Sequence, residues 1–254
     1  MPQPVLSIIT INYNNEPGLR KTIKSVFDQT FTDYEYIIID GGSTDGSTVI
    51  IEEHQQRFSY TVSEKDNGIY DAINKGIAKA KGRYLLFLNS GDFLVNEKVL
   101  SIISKSLIQQ QHDIVYGKAI VYGIVKYNPY PLHLLNILET GICHQSMFFK
   151  KELFDKAGLY DTSYKVVADI CHIILCLVRY NATNFFIDTT IVEMERDGIS
   201  TVSKSNNMQE RQAFLNKEFP VIAADYLLLQ QYHKRDYIRR GKNFLQRKLN
   251  SDKE

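Results

Sequence analysis

The first hundred residues alternate between short apolar runs and longer segments in which apolar residues recur every three or four positions. Apolar runs that end in turn-forming residues predict buried strands, and the longer amphipathic segments predict helices. The predicted strands are Val5–Ile11, Tyr34–Ile39, Tyr60–Ser63 and Tyr84–Leu88. The predicted helices are Glu16–Asp28, Ser47–His54, Ile69–Ala80 and Glu97–Gln109. This order predicts an α/β domain on a doubly wound, mainly parallel sheet flanked by helices.

The second half of the chain has a less regular pattern. Extended segments are predicted at Val115–Tyr127, Cys143–Phe149, Asn184–Ile187 and Ile191–Met194. Helices are predicted at Lys151–Ala157 and Asp169–Tyr180, with a loop or short helix at Pro129–Leu138. Long polar helices follow from about residue 205. We therefore expect a core domain of residues 1–204, with halves at 1–110 and 111–204, and a helical extension of residues 205–254.

The central stretch of this pattern is Tyr84–Leu94, in which an apolar run stops at Asn89-Ser90-Gly91-Asp92. Small polar residues at this point favour a turn. Ligands of open α/β sheets bind beyond the carboxyl ends of the strands. Asp92 is therefore expected at the mouth of a cleft, and Asp40, Asp45 and Asp66 are expected at the same edge. The alternative is that Ser90-Gly91-Asp92 is only a surface turn.

The amino-acid composition limits the classes of protein to which the chain can belong. Of 254 residues, 44% are hydrophobic and 23% are charged, which is typical of a soluble globular protein. A net charge of +1 gives no global attraction to nucleic acid. The three cysteines lack CxxC spacing, which fits thiols packed in a reducing compartment. No signal peptide and no apolar run of about 20 residues is evident, so we expect a cytoplasmic protein.

The end of the chain is basic and amphipathic. Within His233–Asn250, Lys and Arg residues interleave with apolar ones, and Asp236 is the single acid. Such a segment can lie on an anionic membrane at its inner face. It can equally be a solvated helix that covers the core or forms a homodimer contact, and the sequence leaves these readings open.

Two nucleotide-binding motifs are missing. No GxGxxG follows the first strand, which disfavours a dehydrogenase, and no GxxxxGK[ST] is present, which argues against a P-loop hydrolase. A protein that has a cluster of carboxylates but no glycine-rich phosphate loop needs another way to bind phosphate. The usual one is a divalent cation, Mg²⁺ or Mn²⁺, that bridges carboxylate and diphosphate oxygens.

Several motifs in order carry a resemblance to a known family. The stretches SIITINYNN, YIIIDGGSTDGS, EKDNGIYDAINKGIAKAKGRYLLFLNSGD, HQSMFF and VADICHIIL resemble family 2 glycosyltransferases of the GT-A fold. The residues of these motifs are similar to those of bacterial enzymes of capsule, O-antigen and colanic-acid-type polysaccharide assembly. The resemblance covers about residues 4–200 and implies inverting transfer of a sugar from a nucleotide diphosphosugar. UDP-sugar is the favoured donor, and a hydroxyl of a glycan or lipid-linked oligosaccharide is the acceptor.

The resemblance also implies which residues bind the donor. They lie in residues 1–110, the nucleotide-sugar-binding half, whereas residues 111–204 form the acceptor half. The implied donor-binding residues are Thr10, Asn12, Tyr13, Asp40, Asp45, Asp66, Asn74, Asn89, Ser90, Gly91 and Asp92. Asp40 has the alternative of capping the glycine turn, and Asp45 that of capping the next helix. Where many relatives carry Arg this chain has Ile73, so Lys75 or Lys65 would have to supply the positive contact to the diphosphate.

The metal motif departs from the family pattern. Relatives often carry Asp at the positions of Asn89 and Gly91, and this chain keeps only Asp92 as a metal ligand. One carboxylate with the diphosphate and water can still hold Mg²⁺ or Mn²⁺. We therefore expect weak metal binding in the absence of nucleotide.

Asp169 is implied as the general base, since it matches the second acid of the family's acidic pair, with Ala168 at the first. Its alternative role is the N-cap of an apolar helix. His144 and Gln145 fall where relatives bind acceptor or donor sugar, and Gly198-Ile199-Ser200 resembles the family's closing loop.

Two other readings compete with this one. A catalytically degenerate GT-A domain would bind nucleotide sugar or a partner without transfer, as the replaced acids suggest. A sugar-nucleotide pyrophosphorylase shares the sheet architecture, but its glycine-rich loop after the first strand is not present in Asn12–Asn15.

Overall fold

The structure is a computed structural model that describes residues 3–127, 132–194 and 204–232. The chain divides into two compact units, residues 1–202 and 203–254. The strands described are β1 (Leu6–Asn12), β2 (Tyr34–Asp40), β3 (Tyr60–Ser63), β4 (Tyr84–Phe87), β5 (Phe93–Leu94), β6 (Ile114–Val121), β7 (Ile124–Tyr127), β8 (Met147–Lys150) and β9 (Asn184–Met194). The helices of the first unit are α1 (Glu16–Phe27), α2 (Ser47–Glu53), α3 (Ile69–Lys79), α4 (Val99–Gln109), α5 (Leu134–Thr140), α6 (Glu152–Ala157) and α7 (Ala168–Ile174).

The described strands form one mixed sheet in the order β3-β2-β1-β4-β8-β6-β9-β5, with β7 paired to β6. The strands β1 to β4 are parallel, as the alternation of strands and helices predicts. Antiparallel pairing enters with β8, which lies between β4 and β6. The start of β8 therefore lies beside the carboxyl end of β4, and the turn before β8 reaches the edge where Asp92 follows.

Helices cover both faces of the parallel half. Leu19, Ile23 and Val26 of α1 join one face of the sheet in a buried cluster that also holds apolar residues of α4. On the opposite face α3 packs close against β1, because a Cβ at Gly76 would lie 2.4 Å from Ile9 Cγ2. The α/β fold with helices on a mainly parallel first half is thus as predicted.

Several elements differ from their predicted bounds, and the largest differences lie in the second half of the chain. The strand expected at Cys143–Phe149 begins at Met147, because His144–Ser146 form a 3₁₀ turn in which the Ser146 backbone N–H donates to Cys143. The two segments expected at Asn184–Ile187 and Ile191–Met194 are one strand, β9. Its polar middle is accommodated at an irregularity of the β6–β9 ladder, where Lys118 and Asp188 form an ion pair.

The apolar helix expected at Asp169–Tyr180 is α7 followed by a π-helical turn, Leu175–Arg179. The second unit contains α8 (Lys204–Glu218) and a helix at residues 220–232. In the described ranges no helix is both long enough and apolar enough to cross a membrane. The basic segment His233–Asn250 and the loop Gly198-Ile199-Ser200 lie outside the described residues.

Candidate active site

A network of hydrogen bonds surrounds Asp40 at the carboxyl end of β2. Asn12 Nδ2, on the neighbouring strand, donates to Asp40 Oδ1 at 2.7 Å. The Ser43 hydroxyl donates to Oδ1 at 2.6 Å and its backbone N–H to Oδ2 at 2.9 Å, and the Ser63 hydroxyl donates to Oδ2 at 2.6 Å. Burial by itself raises the pKa of Asp40, but these hydrogen bonds outweigh burial and hold the pKa below its ordinary value. Asp40 is therefore an ionised carboxylate that fixes the glycine turn.

An exposed aromatic ring and a second carboxylate lie just outside this network. Tyr13 is 66% exposed. A Cβ at Gly41 would lie 2.5 Å from Asp66 Oδ2 and 3.2 Å from the Tyr13 ring, so a larger residue at this position would displace the Asp66 carboxylate. The other oxygen of Asp66 accepts the Gly68 backbone N–H at 2.9 Å. Tyr13 and Asp66 thus form the outward-facing part of this end of the sheet.

Thr10 and Asp45, which were also expected to bind donor, have partners within the protein. Thr10 is buried and its hydroxyl lies 3.0 Å from the Tyr36 hydroxyl. Asp45 accepts the backbone N–H of Glu16 at 2.8 Å and that of Ser47 at 3.0 Å, so it joins the first turns of α1 and α2.

The Asn74 amide is held at both ends. It donates to the Tyr160 carbonyl at 2.8 Å and accepts the Tyr160 N–H at 3.0 Å. Lys75, one of the two lysines expected to supply the missing positive contact, forms an ion pair, since its Nζ lies 2.8 Å from Glu64 Oε1. These groups are hydrogen-bonded or ion-paired within the protein, and their role in binding donor stays a prediction.

The turn after β4 is held rigidly against α1. The Thr22 hydroxyl accepts the Gly91 N–H at 3.0 Å and donates to the Asp92 carbonyl at 2.7 Å. The Asn15 amide donates to the Ser90 carbonyl at 3.2 Å. Gly91 has a φ of +104°, which favours glycine at this position. Asp92, 6% exposed, is therefore set by the backbone at the carboxyl end of the parallel strands.

The turn after β4 is also where a divalent cation would be expected to bind. Among the residues that the structure describes, no three His, Cys, Asp or Glu side chains are grouped to hold a metal ion. Asn89 Oδ1, however, is a buried oxygen that has no hydrogen-bond partner among the described residues, and it lies three positions before Asp92. Mg²⁺ and Mn²⁺ prefer oxygen ligands, and Mg²⁺ keeps several waters. Asp92 and Asn89 therefore fit a cation whose remaining ligands come from a bound diphosphate and water.

Asp169, in the first turn of α7, forms the centre of a buried polar cluster. Its Oδ2 lies 2.7 Å from His144 Nδ1, and its Oδ1 accepts the Tyr70 hydroxyl at 2.8 Å. Burial by itself raises the pKa of Asp169, but the charge of His144 and the hydrogen bonds from His144 and Tyr70 outweigh it, so the pKa lies below its ordinary value. Asp169 is thus held as a carboxylate between an imidazole and a phenol.

His144 connects this cluster to the turn after β4. Burial by itself lowers the pKa of His144, but the negative charges of Asp169 and Asp92 raise it above 6.5. Asp92 is therefore close enough to act on His144 electrostatically. The His144 Nε2 atom is buried and has no hydrogen-bond partner in the described part of the chain. Gln145, the next residue, is buried as well.

Burial also decides the state of the cysteines. None of the three cysteines, all of which the structure describes, forms a disulfide. Burial raises the pKa of Cys143 to about 11 and that of Cys176 to about 12. These thiols remain protonated near neutral pH and act as small packed groups, as the sequence predicts.

Two residues that hold the candidate site together, Tyr70 and Thr22, were not predicted from the sequence. Tyr70 lies on the buried face of α3, whereas Ile69 beside it is partly exposed. Tyr70 precedes Ile73 and Ile77 by three and seven positions, a spacing that places it on the same face. Thr22, which holds the Asp92 turn, gives no comparable signal.

The fold and these side chains define an α/β protein that presents carboxylates at the carboxyl ends of parallel strands, where such folds bind nucleotides. The chain belongs to glycosyl transferase family 2, whose family model matches residues 7–177. The resemblance stated from the motifs is thereby confirmed.

Relatives with assigned names agree with this family. An uncharacterized glycosyltransferase of Mycobacterium tuberculosis is 35% identical over 175 residues, which are 65% of this chain and 66% of that protein. The PGL/p-HBAD biosynthesis glycosyltransferase of Mycobacterium bovis is 32% identical over 174 residues, 66% of this chain and 68% of that protein. The matched region therefore spans about two thirds of these relatives.

Solved structures share the fold. The crystal structure of S. aureus TarS 1–349 matches with a TM-score of 0.67 at 18% identity, covering 82% of this chain and 64% of that one. The same fragment in complex with UDP-GlcNAc matches with a TM-score of 0.64 at 18% identity and the same coverage. The mannosyltransferase PcManGT of Pyrobaculum calidifontis, in complex with GDP-Man and Mn²⁺, matches with a TM-score of 0.59 at 15% identity, covering 91% and 80%. These likenesses concern the fold, and the GT-A architecture is confirmed.

Proposed function

We propose that this protein is an inverting glycosyltransferase that moves a sugar from a nucleotide diphosphosugar to a hydroxyl of a glycan or lipid-linked acceptor in surface polysaccharide assembly. The observation that carries the proposal is the convergence of the Asp92 turn and the Asp169–His144 pair. The two come from distant parts of the chain, yet Asp92 and Asp169 both act on the His144 imidazole. A site with a carboxylate for a cation at one side and a proton-accepting group at the other suits displacement of a diphosphate.

The donor nucleotide would lie over the ends of β1 and β2. Tyr13 offers an exposed ring against which a base can stack. Asp66 offers a carboxylate oxygen beside Gly41 for an N–H of the base or a ribose hydroxyl. Asp40, Thr10 and Asn74 support this surface through hydrogen bonds within the protein. Asn12 Nδ2 donates to Asp40, whereas Asn12 Oδ1 has no partner among the described residues. Asp45 is exposed and accepts the Glu16 N–H. The donor-binding role is thus assigned to the whole edge, with Tyr13 and Asp66 as its contacts.

A divalent cation would be held by Asp92, with Asn89 Oδ1 as a second oxygen. When bound, it would neutralise charge on the diphosphate as the leaving group departs. Because one carboxylate is a weak site, calorimetry should show weak Mn²⁺ binding to the free protein and stronger binding with UDP. Asp92→Asn should reduce Mn²⁺ affinity in the presence of UDP by at least about tenfold. Tight binding of Mn²⁺ to the free protein would contradict this assignment.

Two relatives guide the choice of donor. TarS was solved with UDP-GlcNAc, and PcManGT with GDP-Man. We therefore propose a UDP-sugar first and a GDP-sugar second. The acceptor would enter beside His144 and Gln145, and the basic segment 233–250 would contact an anionic membrane or a second subunit at the cytoplasmic side.

A thermal-shift screen with and without Mn²⁺ tests the proposal. The panel holds UDP-glucose, UDP-galactose, UDP-GlcNAc and GDP-mannose. A donor at about 100 times its dissociation constant should stabilise the protein by roughly 2.7 kcal/mol. The same donor should then release nucleoside diphosphate slowly in the presence of Mn²⁺. Stabilisation by none of them would sink the proposed function, and binding without release in the presence of polysaccharide acceptors would favour the degenerate alternative.

A further inference from the structure

The two nitrogens of His144 are in different situations. Nδ1 lies 2.7 Å from Asp169 Oδ2, whereas Nε2 is buried and has no partner in the described chain. When a neutral imidazole donates its Nδ1–H to a carboxylate, its Nε2 carries the lone pair. A buried lone pair without a donor is unfavourable until a ligand supplies one. This is the arrangement of a base awaiting an O–H group.

We propose that His144 Nε2 takes the proton from the acceptor hydroxyl, and that Asp169 is a positioning residue that fixes the tautomer and orientation of His144. Tyr70 holds the second oxygen of Asp169 and so fixes the carboxylate in turn. The inference rests on the proposed function and specifies which atom performs its proton transfer. It differs from the role that the sequence resemblance implies, in which Asp169 itself is the base.

The acceptor O–H bond breaks and its proton moves to His144 Nε2, while the acceptor oxygen forms a bond to the anomeric carbon of the sugar. The bond from that carbon to the diphosphate oxygen breaks, and its electron pair leaves with the nucleoside diphosphate. Attack from the face opposite the leaving group inverts the configuration. The imidazolium that forms is stabilised by the adjacent Asp169 carboxylate.

The two candidate bases differ in their capacity to accept a proton. Both oxygens of Asp169 already accept a hydrogen bond, and these bonds favour its ionised form. A base works best when its pKa lies near the working pH. Burial opposes protonation of His144, but Asp169 and Asp92 raise its pKa above 6.5. The proton therefore has a more favourable position on the imidazole than on the carboxylate.

The groups that face His144 come from several elements. Asp169 of α7 bonds to it, and Asp92 of the turn after β4 acts on it through space. Tyr70 of α3 and Tyr160 reach it only through Asp169. Cys143, its neighbour in the turn, is protonated near neutral pH. Among these groups only the two carboxylates carry charge near neutral pH, so both set the pH dependence.

The first test is the pH profile of UDP release from UDP-GlcNAc with Mn²⁺, with water as the acceptor. If His144 is the base, the rate should fall about tenfold per pH unit below an apparent pKa above 6.5. His144→Gln should lower the rate by roughly 10²–10⁴-fold and remove that limb. The matched control is His112→Gln, since His112 stacks on Phe185 beyond the far end of β8 and should leave the profile unchanged. The inference would be overturned if the wild-type rate stayed constant down to about pH 5. It would also be overturned if the His144→Gln rate were within about threefold of wild type.

The second test needs no activity. An NMR titration of the imidazole Cε1–H signals of the full chain should show one histidine with a pKa above 6.5 that is absent in His144→Gln. In Asp169→Asn this pKa should fall, because the carboxylate that stabilises the imidazolium is gone. An unchanged His144 pKa in Asp169→Asn would refute the positioning role even if that variant were inactive.

The outcomes separate the inference from the proposed function. If neither wild type nor variants bind a nucleotide sugar, the proposed function fails. If wild type releases UDP, Asp169→Asn does not, and His144→Gln remains active without a change in the acid limb, the function stands and Asp169 is the base. Should His144→Gln fold poorly by circular dichroism, the wild-type pH profile still decides the question, because a rate that stays constant down to about pH 5 would exclude His144 as the base.

Discussion

Asp40 and Asp169 are both buried carboxylates with lowered pKa values, but they bond to different kinds of partners. Asp40 accepts hydrogen bonds from two hydroxyls, an amide and a backbone N–H. None of these groups changes its charge in the physiological range. Asp169 accepts from the Tyr70 phenol and lies against the His144 imidazole, which titrates near neutral pH. The partners of the first carboxylate keep their charge near neutral pH, whereas the second carboxylate lies against a group that can take up a proton.

A second contrast shows that the carboxylate decides the behaviour of a buried histidine. His172 lies 3.0 Å from the Gly158 carbonyl through Nε2 and stacks on Phe154 with ring centroids 4.3 Å apart. Burial lowers its pKa to about 4, so it is a neutral part of the core. His144 is buried too, but the nearby carboxylates raise its pKa. The pKa values of these two buried histidines are therefore shifted in opposite directions, because only His144 bonds to a carboxylate.

The largest expected effect comes from Asp169→Asn. The amide cannot fix the His144 tautomer or stabilise an imidazolium, so UDP release should fall by roughly 10²–10⁴-fold. Donor binding, measured by thermal shift, should be retained, because Asp169 does not contact the proposed nucleotide surface. Asp28→Asn, in an exposed pair with Lys24, is the control and should leave both measurements unchanged. Full activity of Asp169→Asn would eliminate any role for the pair.

Asp40→Asn should instead lower stability. An amide offers one acceptor oxygen to four donors and leaves at least one buried donor unpaired, which should cost about 3 kcal/mol in urea unfolding. Asp28→Asn should cost less than about 0.5 kcal/mol. An Asp40→Asn variant as stable as wild type would show that the network does not depend on the charge.

The same carboxylate gives a pH dependence of folding. Because the folded-state pKa of Asp40 lies below its ordinary value of 3.8, its contribution to stability is complete well above pH 3.8 and is lost as pH falls through the folded pKa. Wild type should therefore lose more stability than Asp40→Asn on acidification from about pH 5 to pH 2. Parallel stability curves for the two proteins would exclude this contribution.

Much of the fold could be predicted because the signals are local. A strand buried on both faces, such as Leu6–Asn12, is an unbroken apolar run, and its end is marked by turn formers. Phe93–Leu94 was missed because two residues are too short to give a period. The division of Asn184–Met194 into two segments arose because Asp188 and Thr189 read as a turn, whereas the strand carries them at an irregular register with β6.

The site was predictable only where backbone position determines it. Asp92 follows the end of β4, so the rule that ligands bind beyond strand ends locates it without knowledge of any contact. The Asp169 cluster depends instead on side chains from α3, the turn before β8 and α7. A sequence pattern shows which face of a helix is buried but not which partner a buried polar group finds. The bond between Asp169 and His144 could therefore not be read from spacing.

The smallest expected effect is that of Tyr70→Phe. It tests whether Asp169 and Asp40 differ because of the groups that donate to them. The change removes the hydroxyl that donates to Asp169 Oδ1 and keeps the ring that lies 5.6 Å from Tyr160. A hydrogen bond to a charged group contributes about 1.5 kcal/mol, so UDP release should fall by about tenfold. The carboxylate left with fewer donors should bind the imidazolium more strongly, which moves the acid limb to higher pH. Ser63→Ala removes a hydroxyl from Asp40 in the same way and is the matched control, because it should lower stability while leaving the limb in place. If both variants moved the limb, or neither did, the two carboxylates would not differ in the way that their partners indicate.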